Sequence, residues 1–105
     1  NIFNMRKNTL VGVRRGSLEI IYNILYEARD GINKTRLVYK TNLNFHVLQR
    51  YVDFLIAKEL LSIEYKPHIR YKTTNKGLRY IEIFEQLSRD ILGIDANNIL
   101  GFELL

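Results

Sequence analysis

The 105-residue sequence contains no cysteine, no tryptophan and a single proline. Without cysteine, the chain has no disulfide framework and no thiolate for metal binding or nucleophilic catalysis, which favours a reducing, cytoplasmic environment. Long apolar runs are also missing: Glu19 and Asn23 already interrupt the stretch from Leu18 to Leu25, and a membrane span needs about 20 apolar residues. No secretory signal pattern is visible. The sequence therefore predicts neither disulfides nor membrane insertion.

The residues that are present give the composition of a folded domain. Hydrophobic residues make up 47% and charged residues 26% of the chain, which is typical of globular rather than disordered proteins. A chain of this length can form one core but not two. We therefore expect a single domain with an interior of isoleucine, leucine and valine, filled out by aromatic residues.

The charges are unevenly distributed along the chain. The formal net charge is +5, and residues 1–42 hold eight lysines and arginines against three acids. A second basic stretch runs from Lys66 to Arg79 without an acid, whereas residues 80–105 hold one arginine against five acids. Such a dipolar layout suits a protein that faces a polyanion with one surface. An ordinary mixture of solubilising surface charges is the alternative.

The first helix is expected to follow a basic arm formed by residues 1–16. Ser17 is the predicted N-cap, with Glu19 in the favourable first turn. Gly31 ends the pattern, so the helix is expected from Ser17 to Asp30. Apolar residues recur at helical spacing between these ends; they are Leu18, Ile21, Leu25 and Ala28, widened by Ile20 and Ile24.

Two further helices are predicted in quick succession. Asn33 caps the second, which ends near Asn42, and Asn44 caps the third. The break between them has the length of a helix-turn-helix turn. The buried stripe of the third helix is expected to consist of Val47, Leu48, Tyr51, Val52, Leu55 and Ile56, with His46, Gln49, Arg50 and Asp53 on the opposite face.

After Glu59 the apolar period changes from 3.6 to 2, which predicts a β-hairpin over residues 61–73 with its connection at Pro67 and His68. Thr74 then caps a last helix from about Asn75 to Leu92. The predicted fold class is mainly α with a small β-hairpin, a winged helix-turn-helix over residues 17–74 followed by a long C-terminal helix and tail over residues 75–105.

Two stretches carry a family resemblance: "LEIIYNILYEARDGINKTRLVYKTNLNFHVLQRYVDFLIAKELLSIE" (residues 18–64) and "YKTTNKGLRYIEIF" (residues 71–84). Together they resemble small archaeal winged-helix proteins described as chromatin-type or transcriptional regulators. The resemblance implies double-stranded DNA binding and dimerisation through an antiparallel coiled coil of the last helices. Glu59 departs from the family, which usually has glycine there, and residues 93–105 have no assigned counterpart.

The third helix carries the side chains predicted to read DNA. In helix-turn-helix proteins the N-terminal part of this helix enters the major groove. Arginine pairs bidentately with guanine and glutamine with adenine, and an aromatic edge can meet a thymine methyl group. An ordinary solvated helix face is the alternative. The predicted reading residues are Asn44, Phe45, His46, Gln49 and Arg50.

The start of the second helix and the hairpin are predicted to contact the DNA backbone. Lys34, Thr35 and Arg36 combine positive charge, a hydroxyl and free N–H groups at a helix start, which suits a phosphate; a capped surface turn is the alternative. In the wing, basic side chains at spacing two form one face of a strand, although an edge strand protected by charge has the same pattern. The wing residues are Lys66, His68, Arg70 and Lys72, and Arg14 and Arg15 of the arm are further candidates.

The last helix is predicted to carry two apolar faces. Leu78 and Ile81 can pack on the domain, while a heptad seam faces a second copy of the chain. The alternative is that residues 95–105 fold back over this seam. The seam consists of Tyr80, Phe84, Leu87, Ile91 and Ile94.

Enzymatic function is not expected. His46 and His68 are predicted on a helix face and a hairpin tip, without cysteine or a fixed carboxylate to complete a metal site or a triad. No phosphate-binding glycine motif occurs. We expect a homodimeric double-stranded-DNA-binding protein, a transcription regulator or a nucleoid-associated architectural factor, with no cofactor, small-molecule substrate or membrane partner. A protein-interaction module within a larger assembly is the alternative.

Overall fold

The computed structural model describes residues 16–92, which contain four α-helices, one two-stranded antiparallel hairpin and a closing π-helical segment. The helices are α1 (Ser17–Glu27), α2 (Lys34–Thr41), α3 (Phe45–Ala57) and α4 (Asn75–Leu87), the strands are β1 (Leu61–Glu64) and β2 (Arg70–Thr73), and the π-helical segment is Ser88–Leu92. The predicted order of elements and the fold class are confirmed. The predicted arm before Gly16 and the tail after residue 92 lie outside the described residues.

The boundaries of α1 differ slightly from the prediction. Ser17 is the first helical residue rather than the cap, because the Gly16 carbonyl already accepts a hydrogen bond of 3.1 Å from the Ile20 N–H. The helix ends at Glu27 and is followed by a turn. Gly31, which follows the turn of residues 28–30, has a φ of +94°, a conformation that residues with a side chain rarely adopt.

Asparagine caps define α2 and α3, as predicted. The Asn33 side chain accepts a 2.9 Å hydrogen bond from the Arg36 N–H, and the Asn44 side chain accepts one of 2.8 Å from the Val47 N–H. Between the two helices, Asn42 adopts a left-handed conformation with φ 56° and donates its N–H to the Val38 carbonyl. These local contacts set the short turn of the helix-turn-helix.

The end of α3 is a Schellman motif. The Leu60 N–H donates to the Leu55 carbonyl at 2.8 Å, and the Glu59 N–H donates to the Ile56 carbonyl at 2.9 Å. Glu59 has a φ of +63°, the left-handed conformation that usually requires glycine. The helix therefore ends as a glycine-capped helix would, although the residue carries a side chain.

The hairpin pairs Leu61 with Thr73 at its base and Glu64 with Arg70 at its tip, and residues 65–69 form the connection. The Lys66–Pro67 peptide bond is cis. An isolated bridge between Ile32 and Tyr71 joins β2 to the segment before α2. The predicted hairpin is confirmed, with the return strand beginning one residue later than expected.

Residues Ile21–Ile81 form one compact unit, and the described residues on either side of this range belong to a second. The first unit contains a core drawn from all its elements; the buried apolar residues are Tyr22, Ile24, Leu25, Ala28, Ile32, Leu37, Leu48, Val52, Leu55, Leu60, Leu61, Tyr71 and Ile81. Leu18, which was expected on the buried stripe of α1, is 69% exposed.

Buried hydroxyls in this core donate to backbone carbonyls. Thr41 Oγ1 donates to the Leu37 carbonyl at 2.7 Å, and Thr73 Oγ1 donates to the Leu25 carbonyl at 2.6 Å. A buried hydroxyl without a partner would cost free energy, so these bonds make both threonines compatible with the interior.

The start of α4 is tied to the end of α3. Thr74 Oγ1 accepts from the Gly77 N–H at 3.0 Å and donates to the Glu59 carbonyl at 2.7 Å, which confirms Thr74 as the cap. Lys76 Nζ donates to the Lys58 carbonyl at 3.0 Å. A Cβ atom at Gly77 would lie 2.5 Å from the Leu60 carbonyl oxygen. Glycine at this position therefore permits the close approach of α4 to the segment after α3.

The helix capped by Thr74 continues to Leu92, as predicted, but its last turn is π-helical. Of the two residues expected to pack on the domain, Ile81 is buried and Leu78 is 38% exposed. Among the described residues, none of the helices combines the length and the apolar character required to traverse a lipid bilayer.

Candidate nucleic-acid interface

The outer face of α3 carries the side chains that were predicted to read DNA. His46 and Arg50 are exposed, Gln49 is half-buried and the ring of Phe45 is 52% exposed. Asn44 is exposed, and its side-chain oxygen is engaged in the helix cap. None of these five side chains is part of the core, because Leu48, Val52 and Leu55 form the buried face of the same helix.

Lys34 joins the start of α2 to the first turns of α3. Its ammonium group donates a hydrogen bond to Gln49 Oε1 and lies 4.9 Å from the centre of the Phe45 ring. The ring centre of the buried Tyr71 is 5.9 Å away. Lys34 is half-buried, so its charge is directed at α3 and the hairpin, whereas the sequence indicated a solvent-facing lysine available to a phosphate.

Gln49 is held at both ends of its side-chain amide. Lys34 contacts the oxygen, and Gln49 Nε2 donates a 2.8 Å hydrogen bond to Asp53 Oδ1. The second contact follows the i, i+4 spacing of neighbouring helix residues. Both ends of the amide are therefore engaged by side chains of the protein.

The start of α2 is basic and open to solvent. Thr35 and Arg36 are exposed, and the Arg36 N–H is engaged by the Asn33 cap. No acid occurs between Gly31 and Val52, a stretch with three lysines or arginines in α2 and Arg50 in α3. The two helix starts therefore carry an excess of positive charge along the sequence, with Asp30 and Asp53 directly beyond the ends of the stretch.

The wing residues fall into two groups. Lys66, His68 and Lys72 are exposed, the first two in the connection and Lys72 in β2. Arg70 instead donates a 2.7 Å hydrogen bond to Glu64 Oε1 on the opposite strand. Its guanidinium carbon lies 3.0 Å from the position that a Cβ atom would occupy at Gly31. Arg70 is thus compensated by an acid and packed against the chain.

The remaining predicted site residues are on α4, in the π-helical segment or outside the described range. Tyr80, Leu87 and Ile91 are 49%, 51% and 69% exposed, and Phe84 is half-buried. Arg14, Arg15 and Ile94 lie outside the described residues.

A family model of winged helix-turn-helix proteins matches residues 14–91 of the chain. The chain belongs to the winged helix-turn-helix family. In proteins of this family the helix at the position of α3 is called the recognition helix and the hairpin is called the wing. The match extends through α4 into the π-helical segment.

Two archaeal proteins are similar to this winged-helix chain in sequence. The uncharacterized protein MJ0290 of Methanocaldococcus jannaschii is 30% identical over 84 residues, which are 79% of this chain and 38% of that protein. The uncharacterized protein MJ0287 of the same organism is 30% identical over 81 residues, which are 75% of this chain and 80% of that protein. The chain thus spans well under half of one of these relatives.

Two solved structures share the winged-helix fold. Sso10a-2, a DNA-binding protein from Sulfolobus solfataricus, superposes with a TM-score of 0.63 and 27% identity, covering 87% of this chain and 98% of Sso10a-2. BpsR of Bordetella bronchiseptica, whose DNA binding is regulated by 6-hydroxynicotinic acid, superposes with a TM-score of 0.60 and 13% identity over 78% of this chain and 61% of BpsR. The second likeness concerns the fold alone.

Three features of α3 and α4 were not predicted from the sequence. Phe54, on the outer face of the recognition helix, is 47% exposed, with Lys58 Nζ 5.6 Å from its ring centre. Asp53 was placed on the outer face but not connected to Gln49, although their spacing of four could have revealed the pair. The heptad pattern selects Phe84, which is half-buried, and passes over its neighbour Ile83, which is 54% exposed. Within residues 16–92, no three histidine or acidic side chains are grouped to hold a metal ion.

Proposed function

We propose that this chain binds double-stranded DNA through α3 and the wing, as a transcription regulator or a nucleoid-associated architectural factor in the cytoplasm. The observation that carries the proposal is the outer face of α3, where His46 and Arg50 are exposed beside the half-exposed ring of Phe45. Arginine and aromatic edges are groups that distinguish base pairs in the major groove. The N-terminal half of a recognition helix is the part that enters this groove.

Charge and similarity support the same function. The net charge of +5 and the acid-free stretch from Gly31 to Val52 favour a polyanionic ligand. Sso10a-2, nearly all of which is covered by this chain, is a DNA-binding protein. Thr35 and Arg36 at the start of α2, with Lys66, His68 and Lys72 of the wing, are the proposed backbone contacts. Asn44, Arg14 and Arg15 stay further candidates.

A salt titration of binding to duplex DNA tests the proposal. The affinity is expected to fall as salt rises, with a log–log slope of about −0.9 for each phosphate contacted. Arg50→Ala should weaken binding to preferred duplexes by about 1–3 kcal/mol if Arg50 reads a base. Arg89→Ala, which removes the same charge from an exposed arginine of the π-helical segment, is the matched control and should change little. Absence of binding at low salt would overturn the proposal and favour a protein-interaction module.

We further propose that the chain forms a homodimer through α4 and the π-helical segment. Ile83, Leu87 and Ile91 recur at intervals of four and are each more than half exposed, and apolar rows of this kind on a helix are buried by a partner helix. A groove lined by Glu82, Ile83, Gln86, Leu87 and Asp90 lies along this row. A two-fold axis brings the same surface of both copies together. The row on one copy can therefore pack against the same row on the other copy.

A further inference from the structure

The amide of Gln49 is engaged twice but not saturated. A glutamine side chain has two acceptor lone pairs on its oxygen and two N–H donors on its nitrogen. Lys34 uses one lone pair and Asp53 uses one N–H. One acceptor site and one donor site are left, and these are the two groups that a bidentate contact with adenine requires.

Lys34 and Asp53 also determine on which side of the Gln49 amide its oxygen and its nitrogen lie. An ammonium group can only donate and a carboxylate can only accept, so Gln49 Oε1 is directed to Lys34 and Nε2 to Asp53. If the amide were reversed, two donors would face each other at Lys34 and two acceptors at Asp53. The contacts therefore exclude the flipped orientation that an unconstrained glutamine would also populate.

The same lysine holds the aromatic neighbour of Gln49. Lys34 Nζ lies 4.9 Å from the centre of the Phe45 ring, and the His46 ring meets it edge-on with a centroid distance of 5.9 Å. Half of the Phe45 ring nevertheless stays accessible. An exposed apolar ring edge at the start of a recognition helix matches the methyl group that thymine presents in the major groove.

We propose that Lys34 and Asp53 are positioning residues that preset Gln49 to contact adenine and Phe45 to contact a thymine methyl group, so that α3 prefers A·T pairs. This inference rests on the proposed DNA-binding function and specifies its base preference. Lys34 then acts through its contacts with α3 instead of binding a phosphate. Asp53, a negative charge on a surface that approaches phosphates, is retained because it orients the amide.

Modified duplexes test the preference without altering the minor groove. An A·T-rich duplex is compared with one containing 7-deazaadenine, which lacks the N7 acceptor, and with one containing deoxyuridine, which lacks the methyl group. We expect wild-type affinity to fall about fivefold or more on each modified duplex. We call each of these losses of affinity a penalty. The 7-deazaadenine penalty should disappear in Gln49→Ala, and the deoxyuridine penalty should disappear in Phe45→Ala. Equal wild-type affinity for all three duplexes would overturn the inference while leaving the DNA-binding function intact.

Two substitutions of Asp53 distinguish its positioning of the Gln49 amide from the effect of its negative charge. Asp53→Ala removes both the carboxylate and the acceptor, so overall affinity should rise while the 7-deazaadenine penalty falls. Asp53→Asn removes the charge but keeps a side-chain oxygen that accepts from Gln49, so affinity should rise while the penalty is retained. Asp53 is exposed, and a thermal melt of each variant checks the fold. A purely electrostatic role would give both variants the same result, an unchanged penalty, and would overturn the positioning role.

Substitution at Lys34 tests the other end of the amide. Lys34→Met keeps an unbranched side chain beside Phe45 and removes the donor, so both penalties should shrink. Lys72→Ala, which removes an exposed charge from the wing, is the control and should lower affinity equally on all duplexes. If Lys34→Met loses as much affinity on both modified duplexes as the wild-type protein does, the positioning role of Lys34 is overturned. Failure of the wild-type protein to bind any duplex would overturn the proposed function and, with it, the base preference.

Discussion

Glu59 shows how a single residue is held in an unfavourable backbone conformation by its surroundings. Its φ of +63° ends α3, and its carbonyl accepts a hydrogen bond from the Thr74 hydroxyl that caps α4. A left-handed conformation costs a residue with a Cβ roughly 1–2 kcal/mol. The backbone contacts on both sides determine the conformation, so the side chain adapts to it.

Replacing this side chain should stabilise the protein. In Glu59→Gly the backbone contacts persist and the steric cost disappears, while the greater freedom of glycine in the unfolded chain offsets part of the gain. We expect the free energy of unfolding to rise by about 1 kcal/mol, equivalent to a melting temperature higher by about 4–8 °C. Lys58→Gly, at a neighbouring position with φ −88°, should instead destabilise. Denaturant unfolding measures both, and a less stable Glu59→Gly would contradict the argument.

At Gly77, in contrast, adding a side chain should lower the stability of the protein. Glycine inside a helix is about 1 kcal/mol less favourable than alanine, so an alanine would stabilise an open site. Here its Cβ would lie 2.5 Å from both the Leu60 carbonyl oxygen and Thr73 Cγ2. We expect Gly77→Ala to lower the free energy of unfolding by about 1–3 kcal/mol. Gly16→Ala, where nothing lies within 4 Å, is the control, with an expected change of about 0.5 kcal/mol or less. A Gly77→Ala protein as stable as wild type would show that α4 can move away.

At the scale of elements, the two caps of the helix-turn-helix were predictable because they are local. Asn33 and Asn44 bond to N–H groups three residues further along the chain, and this spacing can be read from the sequence. The partners of Lys34 could not be read in this way. Gln49 is 15 residues away and on another helix, and the packing of α2 against α3 brings the two together.

The two basic residues of β2 differ in how accessible their charges are to a ligand. Arg70 is paired with Glu64 across the strands, so its charge is largely compensated, whereas Lys72 is exposed opposite Ser62. If the wing contacts phosphates, Lys72→Ala should reduce the slope of log affinity against log salt by about one. Arg70→Ala should reduce it by clearly less, because Arg70 is already paired with Glu64 and is not available to a phosphate. Glu64→Gln should raise the affinity. A larger effect of Arg70→Ala than of Lys72→Ala would show that Arg70 leaves Glu64 on binding DNA.

At the scale of the whole molecule, the exposed apolar row on α4 and the π-helical segment makes a prediction about assembly. Leu87→Glu places a charge in the middle of this row, where a partner helix would have to desolvate it. Sedimentation should show a dimer for the wild-type protein and a monomer for Leu87→Glu. Asn75→Glu, which adds the same charge at an exposed position of α4 eight residues before Ile83, should stay dimeric.

Two outcomes would contradict this assembly. A wild-type monomer would favour coverage of the row by residues 95–105, the alternative that the sequence left open. A dimer that persists in both Leu87→Glu and Ile91→Glu would place the interface elsewhere on the chain.

The sequence by itself determined the elements and the family. Apolar periodicity, two asparagine caps, Gly31 and the change of period after Glu59 act within a few residues, and their physical consequences do not depend on distant parts of the chain. They were sufficient for the order of helices and strands and for the exposed position of His46 and Arg50. Of the predicted buried stripe of α3, Leu48, Val52 and Leu55 are buried, whereas Val47, Tyr51 and Ile56 are half-buried.

The tertiary structure alone decided which charges are available and which are already engaged. Lys34 is turned toward Gln49 and Phe45, Arg70 is paired with Glu64, and Gly77 admits the carbonyl of Leu60. Each of these contacts joins segments that are far apart along the chain or that meet only across a turn. The strength and direction of an electrostatic contact depend on the distance between two groups, and that distance exists only once the helices and the hairpin have packed.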